Sequence, residues 1–152
     1  MNKGVVIIFV IFLILFLASI PLFVNKNGGF VHAVSGYPFN LSFGQKAVVE
    51  PNQYAEGEEI FYVTFLDVLE DSRCPSDVVC VQEGRVVIAV EINAEDSTSF
   101  YNLTQEGSRK NLEPVLIDPH ATMRLINIDP YPVSTKTINQ RDYVALLSLT
   151  DT

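Results

Sequence analysis

The sequence predicts an all-β fold, an antiparallel β-sandwich or barrel of about eight strands preceded by one N-terminal transmembrane helix. Three observations predict it. Residues 4–24 are one apolar run broken only by Ser19 and Pro21; at 1.5 Å per residue they reach about 31 Å as a helix, the thickness of a bilayer's hydrocarbon core. From Phe39 onward, short stretches rich in Val, Ile, Phe, Tyr and Thr are separated by clusters of Gly, Pro, Asn and Asp, the pattern of strands and turns. Beyond the first run, no amphipathic helical stretch of useful length competes with the strands.

The N-terminal run comes first because it sets the compartment. Lys3 and the α-amino group precede it, so the positive-inside bias keeps the N-terminus cytoplasmic and places the rest across the membrane. The run exceeds the 7 to 15 apolar residues of a cleaved signal, which favours a retained single-pass anchor in the cell membrane. The small residues flanking His32 in Val31-His32-Ala33 keep open an alternative, a freely secreted soluble domain after cleavage near Ala33. Residues 25–38, opening with Asn25-Lys26-Asn27-Gly28-Gly29, read as a tether, and residues 39–152 as one extracytoplasmic β-domain.

The exported part holds all 18 acidic residues and eight of the ten basic ones, a net charge of −10. A field of that sign repels phosphate backbones, which argues against nucleic acid as a partner. The only two cysteines, Cys74 and Cys80, are most simply one disulfide in an oxidising compartment. Their spacing is wrong for a redox CxxC pair, and with no histidine beside them they make a poor zinc site.

Candidate strands cover residues 39–43, 46–50, 59–68, 85–92, 99–103, 114–117, 122–128 and 143–149. In the fourth, Val86, Ile88, Val90 and Ile92 share one face and form the predicted core side. In the third, Phe61, Val63 and Phe65 alternate until Asp67 falls on their face, which predicts a bulge near Leu66. In the last, Tyr143, Ala145, Leu147 and Leu149 alternate in the same way. Between the third and fourth strands, Asp71 can accept from the backbone that follows, Pro75 sets the chain's direction and the disulfide closes a protruding loop. Gln82-Glu83-Gly84 then reads as a turn with Gly84 in the left-handed region. Such loops on β-scaffolds commonly carry recognition, so Asp71, Ser72, Arg73, Pro75, Gln82 and Gly84 are the candidate contact residues.

The run Asp71-Ser72-Arg73-Cys74-Pro75, four residues, Cys80 and then Gly84 before a strand resembles a family of small exported or lipid-anchored bacterial and archaeal β-domains without an assigned activity. The surrounding order is similar too, with Phe65-Leu66-Asp67-Val68 before the motif, Asp129-Pro130-Tyr131-Pro132 after it, and Tyr143-Val144 near the end. The likeness covers most of residues 39–150. Many of these relatives carry tryptophan where this chain has Gln82. The resemblance implies an architecture and a compartment.

For catalysis the sequence offers little. There is no GxSxG elbow, no HExxH and no phosphate-cradling glycine loop, and the domain's one histidine is His120. Adjacent carboxylates such as Glu58 with Glu59, or Glu70 with Asp71, point to opposite faces of a strand. The chain is therefore expected not to be an enzyme and to need no cofactor. The alternative is a metal-binding protein or enzyme: calcium through Glu95-Asp96-Ser97-Thr98 or Asp67 with Asp71, or copper through His120 and Met123. Neither spacing forms a complete ligand set, so no metal residue is assigned. Asn40-Leu41-Ser42 and Asn102-Leu103-Thr104 are possible glycosylation sequons at Asn40 and Asn102. The expected role is a membrane-anchored binding or accessory module of a membrane complex or cell envelope, with a protein partner there.

Overall fold

The computed structural model describes residues 29–53, 59–94, 97–107, 114–118 and 121–151. The expected anchor at 4–24 and the first residues of the tether lie outside these, as do Glu58, Glu95, Asp96 and His120. Among the described residues no helix is long and apolar enough to cross a membrane.

Alternating apolar side chains run through the described chain as nine strands. They are β1 (Val31–Val34), β2 (Phe39–Ser42), β3 (Lys46–Glu50), β4 (Phe61–Asp71), β5 (Arg85–Ala94), β6 (Ser97–Glu106), β7 (Val115–Asp118), β8 (Ala121–Asp129) and β9 (Val144–Asp151). One sheet has the order β1-β3-β4-β5-β6 and the other β2-β9-β8-β7. The fold is all-β with two sheets of five and four strands.

Two features depart from the sequence reading. Residues Val31–Val34, read there as tether, form β1, with Ala33 turned into the core. Four residues between a polar segment and a turn are too short to show a period of two, and it is pairing with β3 that makes them a strand. The pairing is also parallel, Val31 opposite Ala47 and Val34 opposite Glu50, whereas an antiparallel architecture was expected. The reason is topological: β2, between them in sequence, belongs to the other sheet, so the chain crosses over and returns in its original direction. The other strand pairs are antiparallel.

The expected faces are otherwise as read. Val86, Ile88, Val90 and Ile92 are buried, as are Tyr143, Ala145, Leu147 and Leu149. The register of β4 against β5 slips between Phe65 and Asp67, where the bulge was expected, and again between Val68 and Glu70. Each slip resets the alternation, which is how β4 continues to Asp71 after its pattern breaks. Side chains of both sheets, among them Leu41, Phe65, Met123 and Ile128, form one hydrophobic cluster. Each such burial is worth about 1.5–3 kcal/mol. The Phe43 ring meets Phe65 edge-on at 5.8 Å.

The strand directions collect several connections at one end of the domain. The β4–β5 connection, the turn between β2 and β3 and the β8–β9 connection lie there, because Asp129 pairs with Val144 while Asp71 pairs with Val86. The β1–β2 connection, with Tyr37, lies at the opposite end.

Candidate functional site

At the end of β4 the chain turns inward. Ser72 keeps the ladder alive for one more bond, its N–H donating to the Arg85 carbonyl at 2.8 Å, and Arg73 then enters the body of the protein with only 3% of its surface exposed. A buried guanidinium is costly unless its donors are met. Here Nε donates to Asp71 Oδ1 at 2.8 Å and Nη2 to Asp71 Oδ2 at 2.7 Å, a two-pronged ion pair. Nη1 donates to the Ile128 carbonyl at 2.7 Å and Nη2 also to the Pro130 carbonyl at 3.1 Å. The guanidinium carbon lies 4.9 Å from the centre of the Tyr131 ring. One side chain thus ties the end of β4 to the end of β8 in the other sheet.

Asp71 accepts twice more. The Arg73 N–H donates to Oδ1 at 3.3 Å, the turn expected from the sequence, and the Tyr143 hydroxyl donates to Oδ2 at 2.8 Å. Burial alone would push the Asp71 carboxyl up, but the hydrogen bonds from Arg73 and Tyr143 and the guanidinium charge outweigh it and hold the carboxyl below its ordinary range. Burial, then the hydrogen bond to Asp71 and its negative charge, push the Tyr143 hydroxyl up to about 12. At neutral pH Asp71 is therefore a carboxylate and Tyr143 a neutral phenol.

Beyond Arg73 the loop closes on itself. Cys74 and Cys80 form a disulfide with their Cα atoms 5.9 Å apart, and the Cys74 N–H donates to the Glu83 carbonyl at 2.9 Å. A second attachment reaches the β8–β9 connection. The Ser76 N–H donates to the Pro132 carbonyl at 3.0 Å, and the Asp77 carboxylate accepts from the Ser134 N–H at 2.8 Å and hydroxyl at 2.6 Å. Those two bonds hold the Asp77 carboxyl below its ordinary value. Gly84 has φ +67°, the expected left-handed turn, and a Cβ there would lie 1.8 Å from the Ser72 carbonyl oxygen. Across the base, Glu70 and Arg85 pair at 2.9 Å on the outer surface.

With both attachments made on the body side, the tip faces solvent. Val78 is exposed, and Val79 and Val81 are fully exposed, the most exposed of the described large apolar side chains. Of the sequence's candidate contact residues, Ser72 and Gln82 are exposed, Pro75 and Gly84 are half-buried, and Asp71 and Arg73 point inward. Asn40 and Asn102 are exposed on β2 and β6, edge strands of different sheets, and the structure does not bring them together.

Among the described residues, no three His, Cys, Asp or Glu side chains gather where they would hold a metal ion. Asp67 accepts instead from the Gln140 side chain, and Met123 is fully buried in the core. The sequence reading missed Tyr143 and Tyr131 as partners of the motif, and Val79 and Val81 as its exposed tip. Tyr143 was visible as an inward position of a strand, and both tyrosines as part of the order around the motif, but neither as a contact of Asp71 or Arg73. The valines lay inside the quoted motif, but exposure is not written in residue type. Compared with models of known protein families, with curated proteins and with solved structures, the chain matches none.

Proposed function

We propose that this chain is a membrane-anchored, extracytoplasmic β-domain of sandwich architecture that works by binding, as an accessory module of a membrane complex or cell envelope, and catalyses nothing. The working surface is the disulfide-closed loop of residues 71–84. The observation that carries this reading is the inverted arrangement of that loop: its arginine is spent inside the protein, and its fully exposed tip is apolar. Apolar side chains held in water by a cross-linked loop contribute nothing to the core, so their use is contact.

Two further points support the reading, the first for retention of the N-terminal run and the second for export. Cleavage near Ala33 would cut through β1, removing a buried alanine from the core and uncovering β3 as a sheet edge. A disulfide is also at home outside the cytosol. The similarity of the Asp71-to-Gly84 pattern to exported β-domains points the same way.

The test is fractionation of the native producer. Membranes washed at alkaline pH should retain the full chain, and protease added from the outside should remove the domain. Release in the wash, or a mature chain beginning at Val34, would refute the anchor. Mild solubilisation followed by affinity capture should recover protein partners; isolation of the chain alone at every detergent strength would refute the accessory role.

A further inference from the structure

We propose that the tip of the disulfide loop, Val78, Val79 and Val81, rests in the interfacial layer of the same bilayer that holds residues 4–24, so that the loop's contact is lipid. This rests on the anchored reading above and adds to it an orientation. The argument is one of direction and length.

Because β1 runs parallel to β3 and β3 antiparallel to β4, Val31 lies level with Ala47 and so with Val63. Followed backwards from Val34, the chain therefore heads toward the end of the domain that carries the disulfide loop. It is held on that course at Gly29, whose carbonyl accepts from the Gln45 side chain at 3.3 Å, and Gln45 is itself bonded to Phe65. The chain thus enters the domain from the loop end.

The distances agree. Phe65 pairs with Val90, and the loop departs from Arg85, five residues farther along β5; at 3.3–3.4 Å per residue the loop's base lies about 17 Å beyond the level of Gly29 along the strands. The five steps of chain from Val24 to Gly29 reach at most about 18 Å when fully extended. A domain tethered so closely, and entered from below, has its loop end against the bilayer.

The chemistry of the tip suits that position. From Cys74 to Gln82 the one charged side chain is Asp77, which is turned to Ser134, and Val78 to Val81 carry no charge. The domain as a whole is strongly acidic, so contact by valines, and not attraction to anionic headgroups, is what brings the loop to the surface. Three valines are a weak hold alone, and the short tether supplies the high local concentration that makes them sufficient.

The chain has no tryptophan, so one introduced indole reports alone. The full chain is reconstituted in phosphatidylcholine vesicles, with and without acyl-brominated lipid, as Val79→Trp, as Val81→Trp, and as Tyr37→Trp at the opposite end. Flotation after an alkaline wash is read on the same samples. The expected result is flotation of all three, with blue-shifted emission and at least twofold quenching by brominated lipid for Val79→Trp and Val81→Trp, and neither for Tyr37→Trp. Flotation with equal quenching at both ends, or none at either, would overturn the proposal and leave the anchor standing. Blue-shifted emission without quenching would show a protein contact, such as a second copy, and would overturn it as well. Failure to float would overturn the anchored reading and this proposal together.

Discussion

Two short stretches of one connection obey opposite rules. From Asp71 to Arg73 the chain buries an ion pair; from Val78 to Val81 it holds apolar side chains in water. The difference is in what each stretch can reach. Arg73 finds a carboxylate, two carbonyls and an aromatic face at the end of the other sheet, and each bond offsets part of the desolvation that its burial costs. The valines lie beyond a disulfide whose ring is attached to the body through Ser76 and Asp77, where Val79 and Val81 stand fully exposed. The first stretch sets the loop's position, and the second is what that position presents.

That contrast is broken most severely at Arg73. Arg73→Ala should lower unfolding stability by about 3–5 kcal/mol, because it leaves the Asp71 carboxylate buried without its partner; urea denaturation measures it. Arg73→Lys should recover little, since a single ammonium cannot serve two carboxylate oxygens and two carbonyls together. An unchanged midpoint for Arg73→Ala would mean that the cluster contributes nothing to the fold.

Next in size is the disulfide. Closing a loop of seven residues is worth about 2.4 kcal/mol on the chain-entropy estimate, so Cys74→Ser should lower stability by roughly that amount and leave a folded domain. It should also free the tip from its fixed place, which separates the loop's position from the stability of the sheets.

Smaller still is Tyr143→Phe, which removes one hydrogen bond to a carboxylate that keeps its arginine partner and should cost about 1.5 kcal/mol, the lower end for bonds to charged groups. Its signature is in pH. Tyr143 ionises higher in the folded protein than its ordinary 10.0, so its contribution is whole below pH 10 and is lost as pH rises through about 12. Asp71 ionises lower than its ordinary 3.8, so its contribution is whole above that value and is lost as pH falls through the lowered one. Tyr143→Phe should flatten the alkaline limb of a stability-against-pH curve, and Asp71→Asn the acid limb. The smallest effect is at the tip: Val79→Ser with Val81→Ser should stay within about 0.5 kcal/mol of the parent chain, because neither valine is buried. A larger loss would show that the tip packs on the domain.

Much of the sheet was legible. The inward faces of β5 and β9, the bulge after Phe65 and the left-handed turn at Gly84 all follow from patterns a few residues long. The strand β1 was not, since its four residues owe their conformation to β3. At the loop, the importance of Asp71, Arg73 and Gly84 could be read, but not the direction in which they act. An arginine in a protruding loop reads as a contact residue, and this one is buried, with carbonyl partners 55 and 57 positions away.

By itself, then, the sequence determined what depends on near neighbours and composition: which side of each strand is apolar, where the chain turns, the pairing open to its two cysteines, and the charge it carries. The tertiary structure alone decided the parallel course of β1, the end of the domain from which the chain enters, and the meeting of Asp71 with Tyr143 72 residues later. Periodicity is a local property of a polypeptide, whereas a buried charge is satisfied by whatever the folded chain brings beside it, and no spacing in the sequence records that.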